Sequence, residues 1–90
     1  MRKDEKEFFI ALLKEVNFKS YEVSIHSAYK IADRINLNRK RARFLLEKWF
    51  DLNIWNCDIF ANKVLIDNGW FELENLVEPY KEIYDKYMQK

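Results

Sequence analysis

Ninety residues, 49% of them hydrophobic and 17% aromatic, with a single Gly and a single Pro, describe one small domain with a rich core and exclude a disordered or linker-dominated chain. The net charge of +1 hides a segregation: residues 1–43 hold 11 Lys/Arg against 6 Asp/Glu, a balance of +5, while residues 44–90 hold 5 against 9, a balance of −4. A lone Cys57 and a lone His26 leave no internal disulfide and no zinc site, and the absence of both an apolar run of roughly 20 residues and a leader-like N-terminus predicts a cytoplasmic protein off the membrane.

From Asp4 to Val16, the apolar residues Phe8, Phe9, Leu12, Leu13 and Val16 recur at helical spacing among Lys and Glu, which predicts a first helix. In "FKSYEVS", Tyr21 and Val23 alternate with polar neighbours, enough for a short strand, and Ser24 or Ser27 is placed to cap a second helix. Ala28, Ile31, Ala32 and Ile35 share one face, so that helix is expected over about Ser27 to Ile35. Asn36 suits a left-handed residue that stops it.

Asn38 is a good N-cap for a third helix that begins at Arg39. Its first five positions, Arg39 to Arg43, carry four cations, after which the segment turns largely apolar. At about 100° per residue, Ala42, Leu45, Leu46 and Trp49 fall on one stripe, whereas Lys40, Arg41, Phe44 and Lys48 fall on the other side. The helix is therefore two-faced, with an apolar side to dock and cations to display. Asn53 is expected to close it in a left-handed position, with a strand beginning at Ile54.

Beyond it, "IWNCDIF" and "NKVLID" are β-prone, and Asp67-Asn68-Gly69 reads as a tight turn. Two arrangements fit: a hairpin with a long tip, or a three-stranded meander, the meander being favoured. Cys57 is expected as a small core side chain of a strand, and His26 as a surface or capping residue. Leu76, Val77, Tyr80, Ile83, Tyr84, Tyr87 and Met88 form a stripe on a C-terminal helix that Pro79 starts. The stripe looks too wide for so small a domain to hide. Its pairing with Phe8, Phe9 and Leu12 across a two-fold axis predicts a homodimer whose interface includes Phe8, Leu12, Tyr80, Ile83, Tyr84 and Tyr87. In an acidic segment, the tyrosines suit core or dimer contact better than base stacking.

The run Lys30-Ile31-Ala32, Ile35-Asn36-Leu37-Asn38, Arg39 to Leu46, Trp49 and Leu52-Asn53-Ile54 resembles the helix-turn-helix of winged-helix DNA-binding proteins. The register matches without a gap from Ser27 to Trp55, with Asn36 and Asn53 standing where that pattern usually has Gly; "GWFELEN" loosely resembles the closing strand. The resemblance implies a mainly α fold with a small antiparallel β-sheet, a winged helix-turn-helix domain over residues 1–75, and a C-terminal helix over 76–90 as a dimerisation element. It implies a sequence-specific protein for double-stranded DNA, most simply a small transcriptional regulator acting as a homodimer. The alternative is a winged-helix protein-interaction module or a replication accessory of a virus or plasmid.

In such a fold Asn38, Arg39, Lys40, Arg41 and Arg43 stand at the end that enters a major groove, where Arg takes guanine edges and Lys or Asn holds phosphate or adenine. Ser27, Lys30 and the wing residues Asn62 and Lys63 would touch the DNA backbone. Phe44 is the odd residue, an apolar ring on the solvent side. Thymine methyls, a neighbouring subunit or the folded-back wing are its possible covers, an internal contact being favoured. No cofactor, metal or small-molecule ligand is implied, and catalysis is not expected: there is no Gly-rich phosphate loop, His26 lacks a nucleophilic partner, and Glu72 and Glu74 alternate on a strand without a pocket.

Overall fold

A computed structural model describes residues 1–16, 22–57, 60–61, 64–65 and 68–88. Its elements run α1 (Lys3–Val16), β1 (Glu22–Ser24), α2 (Ile25–Arg34), α3 (Arg39–Asp51), β2 (Trp55–Cys57), β3 (Phe60–Ala61), β4 (Val64–Leu65), β5 (Asn68–Phe71), a 3-10 turn (Leu73–Asn75) and α4 (Tyr80–Met88). The fold is mainly helical with a small antiparallel sheet. No described helix is long and apolar enough to cross a membrane.

Local chemistry sets the helix ends. Ser24 is the cap of α2, with φ −68° and ψ 151° and its hydroxyl accepting from the Ser27 amide at 3.0 Å, so the helix starts at Ile25, two residues before the expected Ser27. Asn36 has φ 61°, the Leu37 amide donates to the Ala32 carbonyl at 2.8 Å, and the Asn36 amide donates to Asp33. That pair of bonds is a Schellman motif, here built on Asn in place of Gly. Asn53 repeats it after α3: φ is 64°, the Ile54 amide donates to Trp49 at 3.0 Å, and the Asn53 amide donates to Phe50. Ile54 is thus the apolar residue that closes the motif, and the strand starts one position later than expected, at Trp55.

The three-stranded sheet has the order β1-β5-β2, all antiparallel. Trp55 lies opposite Phe71, Cys57 opposite Gly69, and Gly69 opposite Val23 on the other side. Asn68 and Gly69 lie inside β5, not in a tight turn, and Gly69 is required by packing: a Cβ there would collide with the Trp55 indole. Because β2 pairs directly with β5, the connection between them is a hairpin with a long tip, not a meander; β3 and β4 form their own two-residue ladder within that tip. Asp67, Tyr21, Asn62 and Lys63 lie outside the described residues. The chain past Phe71 leaves the strand for the 3-10 turn, so neither Glu72 nor Glu74 lies on a strand. Among the described residues the buried Trp55 Nε1 meets no hydrogen-bond acceptor.

Trp49 of α3 sits at the centre of the core. Phe8 stacks on it with centroids 5.6 Å apart, Phe9 meets it edge-on at 5.6 Å, and Phe71 lies 5.8 Å away. Phe9 also meets Tyr80 at 5.4 Å, which brings α4 onto the same cluster. The C-terminal segment is therefore part of the one core, and the expected dimer surface is largely consumed inside the chain: Phe8 and Leu12 are 0% exposed and Tyr80 4%. Ile83 and Tyr84 pack at its edge, and Tyr87 is half-buried with the Lys14 ammonium 5.5 Å from its ring. In the sequence the stripe looks too wide to hide because the pattern of one helix does not reveal the space between α1, α3 and β5.

Beneath this cluster Glu5 is only 2% exposed. Its Oε2 accepts from the Tyr80 hydroxyl at 2.5 Å and from Trp49 Nε1 at 2.9 Å, while Oε1 takes Lys48 Nζ at 3.0 Å. Burial pushes its carboxyl up, but the bonds from Tyr80, Trp49 and Lys48 outweigh burial and hold it below the ordinary value near 4.5. Burial, and then the bond to Glu5, raise Tyr80 above its ordinary value. A carboxyl whose folded pKa is depressed adds stability that is complete above the ordinary value and is lost as pH falls through the folded one. Glu5→Gln should lower the unfolding free energy by about 2–3 kcal/mol at neutral pH and flatten its fall below about pH 4.5. Urea unfolding followed by tryptophan fluorescence across pH 3 to 7 checks both.

Candidate nucleic-acid interface

The N-terminus of α3 is set by Asn38, whose Oδ1 accepts from the Arg41 amide at 2.8 Å, with φ −71° and ψ 159°. The asparagine side chain expected at a base or phosphate is thus already employed as a cap. Behind it, Ala42, Leu45, Leu46 and Trp49 are buried as their spacing predicts, and this fixes the rotation of α3 about its axis.

That rotation sorts the four cations. Arg41 turns towards α1, where Nε donates to Asp4 Oδ2 at 2.9 Å and Nη2 to Asp4 Oδ1 at 3.2 Å. This two-point fork, first through its hydrogen bond and then through its charge, holds the Asp4 carboxyl below its ordinary value near 3.8 and raises Arg41. Arg41 is therefore removed from the base-reading set expected from the sequence. Lys48 is drawn to α1 in the same way by Glu5.

Arg39 and Arg43 lie on the α2 side. The Arg39 guanidinium stands 5.3 Å from the Tyr29 ring centroid and 4.0 Å from Asp33, and Arg43 Nε is 3.3 Å from Glu47. Burial raises the Tyr29 hydroxyl, with Arg43 and then Arg39 opposing that rise, as expected if both cations flank it. Tyr29 was not singled out from the sequence. The available signal was an aromatic residue just off the Ala28, Ile31, Ala32 stripe and within reach of the next helix.

Lys40 and Lys30 are exposed and make no ion pair with any described residue. Ser27 is half-buried and its Oγ receives the Ser24 hydroxyl at 2.9 Å, so its hydroxyl serves the α2 cap. His26 is exposed next to it. Phe44 is 55% exposed, and among the described residues the Arg41 guanidinium lies 5.4 Å from its centroid. Further along the outer surface of α3 come Glu47, Asp51 and the exposed Leu52. On this side of α3 the cations are Arg39, Lys40 and Arg43 of its first turns, with the exposed Lys30 on α2.

No family model, no curated protein and no solved structure matches the chain.

The sorting of Arg41 has a measurable consequence. Arg41→Ala should lower the unfolding free energy by up to about 1 kcal/mol, since the pair with Asp4 is partly exposed, and Asp4→Ala should cost about the same. The double variant should be no worse than either single one, which a denaturant-unfolding cycle resolves.

Proposed function

We propose that the chain is a winged helix-turn-helix protein that binds double-stranded DNA in a sequence-dependent way, most simply as a small transcriptional regulator. The observation that carries this reading is the presentation of α3. Its apolar face is locked against α1 and the sheet, a Schellman turn sets it tightly against α2, and its first turns offer Arg39 and Lys40 to solvent beside Lys30. The predominance of helices and the small antiparallel sheet support this reading, in which the β2/β5 hairpin serves as the wing. Lys40, which points most directly outward, is assigned to the base edges. Lys30, Arg39 and Arg43 are assigned to phosphates, where guanidinium and ammonium groups position a protein without reading sequence.

The carboxylates of Glu47 and Asp51 bound the contact. A helix lying along its whole length in a groove would bring both against phosphates, so α3 enters by its N-terminal end. The same acidic turns, with Phe44 and Leu52 exposed near them, favour a second reading, a module that docks another protein.

About three phosphate contacts imply a slope near −3 in log affinity against log salt, or roughly a 60-fold loss between 50 and 200 mM. Gel-shift titration on mixed duplex DNA at the two salts tests this. Arg39→Ala and Lys30→Ala should each reduce the slope by about 1. A flat response, or no binding at the lower salt, favours the protein-docking reading.

The binding unit in this proposal is a single chain, because Phe8, Leu12 and Tyr80 are spent in its own core. Light scattering at micromolar concentration should return a mass near 11.1 kDa. Tyr84→Glu with Tyr87→Glu should lower stability and leave the mass unchanged. A free-protein mass of twice that value would restore the two-fold arrangement.

A further inference from the structure

We infer that Phe44 is a specificity-determining residue that recognises thymine through its C5 methyl group, and that Asp4 and Arg41 position its ring; this rests on the DNA-binding reading above. Single exposed apolar side chains are ordinary on protein surfaces, so exposure alone says little. Phe44 differs in being held. The Arg41 guanidinium lies 5.4 Å from the ring centroid, and Arg41 is itself fixed at two points by Asp4, at 2.9 and 3.2 Å. A ring that is 55% exposed thus rests on a support anchored to a different helix, α1. Little of that support hides the ring from water, but it limits where the ring can go.

Its place along α3 selects what it meets. Phe44 lies one turn after Lys40 on the same side, and Glu47 and Asp51 come after Phe44. On the outer surface, Lys40 and Phe44 are therefore the side chains that reach a groove floor before the carboxylates meet phosphate. A phenyl ring has no hydrogen bond to offer a base edge. Of the features displayed in the major groove of unmodified DNA, the apolar one is the methyl group of thymine. The adjoining hollow of about 320 Å³, lined by Phe44, Glu47, Lys48, Asp51 and Leu52, carries two carboxylates and so does not suit a phosphate.

Replacing thymine by deoxyuridine removes that methyl and keeps every hydrogen-bonding group. Duplexes enriched from a random pool by the wild-type chain at low salt, prepared with thymine or wholly with deoxyuridine, give the test. The wild type should bind the deoxyuridine form about fourfold more weakly for each methyl it covers, the worth of burying one such group. Phe44→Ala should bind the thymine form more weakly and bring the ratio to about one. Asp4→Asn should lower the ratio while circular dichroism and the salt slope stay as in the wild type, which a purely structural role for Asp4 would not produce. Equal binding of both forms by the wild type overturns the inference and leaves the DNA-binding reading standing. So does an unchanged ratio in Phe44→Ala, which would hand the ring to the protein-docking reading. Absence of salt-dependent duplex binding in the wild type overturns both.

Discussion

The carboxylate of Glu5 joins three helices at one buried point. It receives the Trp49 indole from α3, the Tyr80 hydroxyl from α4 and the Lys48 ammonium from the flank of α3. In a site shielded from water each of these bonds is strong, and each donor would be costly to leave alone. A buried ion pair is by itself weak evidence of stability, since removing two charges from water offsets much of their attraction. The carboxylate here is better regarded as a locator. It permits one depth for Trp49 and one seat for Tyr80.

From that point the presentation of the surface is set. With Trp49 fixed, α3 cannot rotate about its axis, and successive acids of α1 collect the cations on one side of α3: Asp4 takes Arg41 and Glu5 takes Lys48. On the other side Arg39 lies over Tyr29 and Arg43 pairs with Glu47. The outward row that remains is Lys40, then Phe44, then acid. A helix that looks uniformly basic over its first turns is divided by its neighbours into structural and displayed charges. The same division carries the exposed phenyl ring, since Arg41 serves both Asp4 and Phe44.

The sheet shows a comparable dependence on one contact. The Trp55 indole occupies the space a side chain at position 69 would need, and this lets β5 lie between β1 and β2 with Phe71 edge-on to Trp55 at 4.9 Å. The single glycine of the chain is thus spent on ring packing in a strand, where its lack of a Cβ matters more than its backbone freedom.

Features set by interactions within a few residues were legible in the sequence. The spans of α1 and α3, the cap at Asn38, the left-handed turns at Asn36 and Asn53, and the buried stripe of Ala42, Leu45, Leu46 and Trp49 depend on helical periodicity and on short side chains bonding to nearby backbone. The sequence leaves the start of α2 open by two residues, because Ser24 and Ser27 are both competent caps and it does not rank them. Features decided by contacts between distant segments were not legible. Arg41 meets Asp4 across 37 residues, Lys48 meets Glu5 across 43, and Tyr80 meets Glu5 across 75. A periodic pattern states that a face is apolar, but not whether the surface covering it belongs to the same chain. A run of cations states charge, but not which of them an acid on another helix will take. Residue order alone settles which segments are helical and which of their faces are apolar, because those depend on local geometry. The docking of α4 onto α1, and the display of Lys40 and Phe44 by α3, are settled by packing between distant segments, because both depend on where the buried Glu5 places its partners.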